Sequence, residues 1–278
     1  MTDLRSSLAA QGPVDLTTIA TDATPQFDGT KRDARRLLPE IGKRLMASQE
    51  LLFANGRAGT TDRKVLMLLQ GMDTSGKGGT LRHVAGLVDP QGLVITAFKA
   101  PTEEERSHDF LWRVERRLPP AGMIGVFDRS HYEDVLIGRV RSLADSDEIE
   151  RRYDAINDFE QRFVDGGGVL LKCFLHISPD DQKERLAERL DDPTKYWKYN
   201  PGDLDERELW DEYQRAYEVV LERCSTPSAP WYVVPAGRKW YRNWAIATML
   251  GETLDELDLK WPEADFDVEE QKRRLATM

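Results

Sequence analysis

Short apolar runs alternate with amphipathic stretches along most of this chain. VLMLLQ (65–70), LVITAF (93–98), MIGVFD ending at Asp128, VLLKCFLHI (169–177) and WYVVPA (231–236) are brief and continuous, the pattern of strands covered on both faces. Helical periodicity or helix-compatible composition fills 77–88, 103–118, 148–165, 179–190 and 238–250; Pro119 and Pro120 stop the second, and three glycines close the third. Upstream, Leu37, Ile41, Leu45, Leu51 and Leu52 recur at helical spacing within 31–56, with Pro39 marking either a break or the true start. Strands separated by helices of about a dozen residues predict βαβ units around a central parallel sheet, an α/β fold. The rhythm breaks at DPTKYWKYNPGDLDERELWD (192–211), an insertion expected over the carboxyl edge of the sheet, where ligands bind in such folds. The expected organisation is an irregular arm over 1–30, one domain over 31–250 with a lid insertion at about 183–211, and an acidic tail over 251–278.

Charge narrows the possible partners. The chain of 278 residues carries a formal net charge of -10, which argues against non-specific nucleic-acid binding. It leaves room for a phosphate-rich substrate, because the acid is uneven: 252–270 holds nine acidic residues and one basic one, Lys260. No run approaches the ~18 apolar residues of a membrane helix, so no membrane association is expected. The first residues lack the basic start and apolar core of a secretory signal. Two cysteines, Cys173 and Cys224, give no disulfide framework, and a cytoplasmic location is expected.

The most specific chemistry lies in GMDTSGKGGT (71–80). Gly71, Gly76 and Lys77 have the spacing G-x-x-x-x-G-K between a predicted strand and a predicted helix, the context of a phosphate-cradling loop. Backbone N–H groups over Gly71, Thr74, Ser75, Gly76, Gly78, Gly79 and Thr80 supply donors, and Lys77 supplies a mobile charge. The hydroxyl that usually follows the lysine is replaced by Gly78. Asp73 is either a hard oxygen ligand for a cation or a cap for the next helix. A second signal, FDRSHYEDV (127–135), delivers Asp128 to a strand end, where it can hold magnesium, with Arg129 beside it to neutralise a transferring phosphoryl group. Ser130 reads as a cap and His131 as a packing residue. Asp109 and Arg113 fall on one helical face, either as a surface pair or with Arg113 aimed at an acceptor phosphate. Arg185, Arg189, Lys195 and Lys198 are either a solvated face or a basic cover that excludes water. Trp197 and Tyr199 either stack on a base or pack a hinge.

Together GMDTSGKGG, HDFLWR, FDRSHYEDV, ERLAERLDDPTKYWK and APWYVVPAGRKWYRNW resemble the polyphosphate kinase 2 family over roughly 33–250. The resemblance implies a P-loop kinase-like three-layer sandwich with a helical lid, similar to thymidylate kinase. It implies reversible phosphoryl transfer between inorganic polyphosphate and a nucleotide, ADP/ATP and AMP, with Mg2+ as cofactor and a homo-oligomeric state. Asp73, Lys77, Asp128 and Arg129 match the family's catalytic positions, and Asp73 and Asp128 are the expected metal ligands. Arg185, Arg189, Lys195 and Lys198 match its lid. His108, Asp109 and Arg113, with Tyr132 and Glu133 of the YED run, are the expected nucleotide contacts and resemble members that use both AMP and ADP. Thr74 and Ser75 stand where small alanines are frequent, and Gly79 where many relatives carry aspartate. The competing functions are an ATP-dependent nucleoside monophosphate kinase and a nucleotide-regulated interaction protein.

Overall fold

In the computed structural model, which describes residues 4–278, five strands form one parallel sheet. They are β1 (Lys64–Gln70), β2 (Leu93–Ala97), β3 (Ile124–Asp128), β4 (Gly168–His176) and β5 (Trp231–Pro235), in the order β2-β3-β1-β4-β5. The central strand β1 is buried from Val65 to Gln70, as its unbroken apolar run requires. Its pairing sets Leu69 against Asp128 of β3 and Gln70 against Phe174 of β4. The loop after β1 and the acidic motif after β3 therefore leave the same sheet edge side by side.

Two groups of helices flank the sheet. α2 (Lys31–Ala58), α3 (Lys77–His83) and α11 (Lys239–Asp255) form one group, and α6 (Glu133–Val140), α7 (Ser146–Asp165) and α10 (Trp210–Arg223) the other. α2 begins at a capping box in which Thr30 and Asp33 satisfy each other's backbone N–H, and it runs straight through Pro39. Pro39 is exposed, so the carbonyl that its missing N–H leaves open meets water and the helix continues. The predicted helix over 103–118 is instead two single turns, α4 (Glu103–Arg106) and α5 (Trp112–Glu115). Ser107 turns its hydroxyl back onto the Glu104 carbonyl and Asp109 accepts the Leu111 N–H, local bonds that compete with the helix.

The insertion contains the end of α8 (Pro179–Asp191), a six-residue 3-10 turn (Pro193–Lys198) and α9 (Gly202–Glu208). Of the expected arm, residues 1–3 lie outside the described residues. The remainder contains α1 (Leu4–Leu8), buries Leu4, Leu8, Leu16 and Phe27, and meets the β5 edge through an Ala10 N–H bond to the Trp231 carbonyl of 2.8 Å. Beyond α11, the exposed α12 (Val268–Ala276) ends the chain, while the Lys260 carbonyl is tied to Asn55 of α2. No helix among the described residues is long and apolar enough to cross a membrane.

Behind the acidic motif lies a closed ionic cluster. Lys172 of β4 donates to Glu160 (2.5 Å), Tyr132 (3.1 Å) and the Cys224 carbonyl (2.6 Å), and Tyr132 and His131 also meet Glu160. All four side chains are essentially inaccessible to water. Removing one charge strands the other, so Lys172→Met is expected to cost about 3–5 kcal/mol, much of it recovered in Lys172→Met/Glu160→Leu. Urea denaturation measures both; a single-variant loss under about 1 kcal/mol would contradict a paired buried charge.

Candidate active site

The chain turns from β1 into α3 within Gly71–Gly76, and three loop residues take left-handed backbone: Gly71 (φ 144), Thr74 (φ 64) and Gly76 (φ 111). For a β-branched threonine this conformation is strained by about 1–3 kcal/mol, as is Arg129 (φ 64) on the neighbouring loop. The loop is tightened by a Ser75 N–H bond to the Met72 carbonyl (3.0 Å). The amides that open α3 have no preceding turn to bond, so they remain available to an anion.

A cleft of about 500 Å3 opens over these amides. Its walls carry Lys77, Arg82, Arg129, Arg189 and Lys198, with His83, against two carboxylates, Asp73 and Asp128. Lys77 Nζ donates to the carbonyls of Gly71 (2.8 Å) and Met72 (3.3 Å). Arg129 Nη2 donates to Asp73 Oδ1 at 3.0 Å, and Nη1 lies 3.9 Å from Glu133. Burial opposes the charge of Arg129, but Glu133 and Asp73 outweigh it and hold the guanidinium above its ordinary pKa. Asp73 thus faces the cleft, and Gly76, the residue before α3, makes no side-chain cap. The Asp128 carboxylate accepts no hydrogen bond from the described residues, though its backbone carbonyl takes the Phe98 N–H, and it lines the same cleft. Two carboxylates with free lone pairs beside a phosphate cradle suit a hard cation that takes few protein ligands and keeps phosphate and water oxygens. Thr80 offers no such ligand: it is buried, and its hydroxyl bonds the Gly76 carbonyl. Across Asp73 and Arg129, a second pocket is lined by Glu133, Gln182, Asn200, Asp203, Tyr213 and Tyr217 among others. Burial raises the pKa of Glu133 there, against the pull of Arg129 and Lys77.

A family model described as Polyphosphate kinase 2 matches residues 39–261. The chain belongs to this family. It is similar to the crystal structure of Polyphosphate Kinase 2 from Arthrobacter aurescens TC1, with a TM-score of 0.97 and 50% identity, covering 100% of this chain and 98% of that one. The AMP/ADP-polyphosphate phosphotransferase of Meiothermus ruber is 45% identical over 91% of this chain and 93% of its own. The ADP-polyphosphate phosphotransferase of Rhodopseudomonas palustris is 38% identical over 90% and 89% respectively. The P-loop kinase-like α/β fold expected from the sequence is therefore that of the polyphosphate kinase 2 family.

In this member of the polyphosphate kinase 2 family, Asp73, Lys77, Asp128, Arg129, Arg189 and Lys198 converge on one cleft, with Thr74, Gly76, Gly78 and Gly79 at its floor. Gly71 and Glu133 open onto the adjoining pocket. Several expected contacts are elsewhere. Tyr132 is fully buried with its hydroxyl 2.7 Å from Glu160, so it supports the acidic motif and meets no nucleotide. Asp109 does not pair with Arg113. It sits 3.8 Å from Arg151, because the break between α4 and α5 removes the shared helical face. Arg113 is buried and donates to the Lys99 carbonyl (2.9 Å), with Asp134 at 3.5 Å, while His108 stacks on Trp112. Lys195 pairs with Asp192 outside the cleft. Arg185 is no mobile cover: it is buried and bonds the carbonyls of Thr74, Ser75, Ala236 and Gly237. Ser130 accepts the Tyr132 N–H, capping the turn and not α6. Trp197, 77% exposed at the cleft wall, packs no hinge.

The residue that sequence reasoning missed is Arg242, buried beneath Gly76 and Gly79. Its only signal was its place in the quoted GRKWYRNW run, which does not reveal that the helix passes under the loop.

Burial lowers the pKa of Lys77, with Asp73 partly restoring it. A lysine with a lowered pKa loses its charge earlier as pH rises. The free-enzyme kcat/KM is therefore expected to fall on the alkaline side below the range of an ordinary lysine. Asp73→Asn removes the attractive partner and should move that limb to still lower pH. Coincident limbs in the two pH profiles would break the link between Asp73 and Lys77.

Proposed function

We propose that this chain transfers the terminal phosphoryl group of inorganic polyphosphate reversibly to ADP, and also to AMP. The observation that carries the reading is the convergence of Lys77, Asp73, Asp128 and Arg129 over a phosphate loop in a polyphosphate kinase 2 chain. Its relatives include one named for AMP and ADP together and one named for ADP. The polymer end lies on the loop. Its remaining length has a path past His83, which lines both the loop cleft and a neighbouring groove containing Lys31, Arg35, Arg238 and Lys239. The nucleotide occupies the side of Asp73 and Glu133, under the insertion.

A terminal phosphate oxygen of ADP or AMP attacks the end phosphorus of the polymer in line. The bond to the bridging oxygen breaks, and the polymer leaves one unit shorter as its new end takes the negative charge. The attacking phosphate is already substantially ionised near neutrality, so alignment and charge neutralisation make up the catalysis. Lys77 and Arg129 face the transferring group, and Arg189 and Lys198 add positive charge from the insertion while excluding water. Asp73 and Asp128 would hold magnesium, which neutralises phosphate oxygens when bound. A cytoplasmic location and association of several copies complete the reading; Cys173 and Cys224 are both buried and unpaired, in keeping with a reducing compartment.

Purified protein given ADP, magnesium and polyphosphate should form ATP only while polymer is present, and AMP should yield ADP and then ATP. Transfer from ATP to AMP with no use of polymer would instead identify a nucleoside monophosphate kinase, and no transfer at all a binding protein. Lys77→Ala should lower kcat by roughly 10²–10³-fold with little change in melting temperature. A folded variant with normal turnover would remove Lys77 from the mechanism.

A further inference from the structure

The phosphate loop rests on two arginines. Arg185 from α8 and Arg242 from α11 are 7% and 3% exposed. Arg185 Nη1 donates to the carbonyls of Thr74 (3.0 Å) and Ser75 (3.3 Å), and Arg242 Nη1 to the same Ser75 carbonyl (3.3 Å). Arg242 also donates to Asn243 Oδ1 through Nε (3.2 Å) and Nη2 (2.9 Å). Among the described residues, no carboxylate comes within 4.0 Å of either guanidinium. Burial, with Arg185 adding repulsion, pushes Arg242 down to about 10; burial lowers Arg185 as well, with Asp181, Glu188 and Glu184 opposing it.

The glycines above are shaped to this floor. A Cβ at Gly76 would lie 1.6 Å from Arg242 Nη1, and one at Gly79 would lie 2.7 Å from Nη2. The guanidinium fills the space that two absent side chains leave. An aspartate at position 79 would face Arg242 directly, and this chain has glycine there, so the buried charge keeps no acidic partner.

Two buried like charges are costly, and carbonyl bonds offset only part of that cost. Their arrangement gives the cost a use. The Ser75–Gly76 peptide is gripped by both guanidinium groups at its carbonyl, while its Gly76 N–H donates to no group among the described residues. A cation at the oxygen end polarises the peptide and strengthens the N–H donor at the other end. That N–H belongs to the loop that faces the cleft, in the place where phosphate oxygens are cradled.

We propose that Arg185 and Arg242 are positioning residues that fix and polarise the Ser75–Gly76 peptide for the phosphate on the loop, whose negative charge supplies the counter-charge that Arg242 lacks. The identity of that phosphate as the polymer end rests on the function proposed above. The two arginines act through the backbone and touch no reacting atom.

Steady-state kinetics on full-length Arg242→Met and Arg242→Lys test this, together with the melting temperature with and without tripolyphosphate. The methionine variant is expected to raise the KM for polyphosphate at least about 10-fold while that for ADP moves less than about 3-fold, a loss comparable to a charge-assisted bond. The rise in melting temperature caused by tripolyphosphate should shrink in parallel, and lysine should restore part of both. If methionine prevents folding, Gly79→Ala displaces the guanidinium without deleting it and should act in the same direction. A raised KM for ADP with that for polymer unmoved would uphold the arginine floor and overturn the placing of the polymer on the loop. Unchanged affinity for both substrates and unchanged stabilisation by tripolyphosphate, whatever happens to kcat, would reduce the arginines to packing and overturn the inference.

Discussion

Everything chemical in this molecule depends on how β1 and β3 pair. With Leu69 opposite Asp128, the chain leaves β1 at Gln70, three residues before Asp73, and leaves β3 directly at Asp128 and Arg129, so two remote segments emerge as neighbours. The Asp73–Arg129 ion pair joins them across the gap. A one-residue slip would turn Asp128 to the other face of the sheet and separate the pair. Register is held against such a slip by burial on both faces of β1 and by the Lys172–Glu160 cluster, which fixes Tyr132 three residues beyond Arg129. The closed ionic core is thus the back wall of the open ionic site.

The net charge of -10 and the positive cleft are compatible because the two kinds of charge are sorted by place. Acidic residues crowd the helix starts, as at Asp180 and Asp181 of α8 and Glu148 of α7, where they complement the helix dipole. Many others face solvent from Glu256 onward. Of the cations around the loop, Arg129 and Arg189 meet carboxylates, while Arg185 and Arg242 beneath it bond carbonyls instead. Within about a Debye length an anionic ligand therefore meets a local excess of positive charge that the total conceals.

Much of the fold was legible because buried parallel strands leave continuous apolar runs, and all five observed strands overlap runs visible in the sequence. Helices were less evenly visible. α10 buries Tyr213, Ala216, Tyr217, Val220 and Leu221, a helical spacing plain in the sequence but overshadowed by the irregular insertion before it. The stretch after β2 failed for the opposite reason: helix-forming composition promised a continuous helix, and local bonds from Ser107 and Asp109 divided it. At the site, residues next to the glycine-rich and acidic motifs could be read because local chain geometry places them. Tyr132 could not, since its neighbour Glu133 reaches the pocket while Tyr132 turns to Glu160. Arg185 and Arg242 lie more than a hundred residues from the loop in sequence, and only the assembled fold brings α8 and α11 beneath it.

The missing hydroxyl at position 78 fits the same distribution of charge. A loop that binds a nucleoside triphosphate needs a cation ligand on the helix side, close to the phosphates already held. On the function proposed here, two anionic chains meet end to end, and repulsion is worst at their junction rather than within either one. The Asp73 carboxylate lies where the loop cleft and the second pocket adjoin, since it lines both, and Asp128 joins it in the cleft; on the proposed function both would hold the cation there. Gly78 is then free to leave its N–H to the phosphate. The helix side is served from below by fixed guanidinium charge, which cannot leave with the product. The site divides its electrostatics accordingly: permanent cations under the end that is held, and exchangeable charge at the boundary that is crossed.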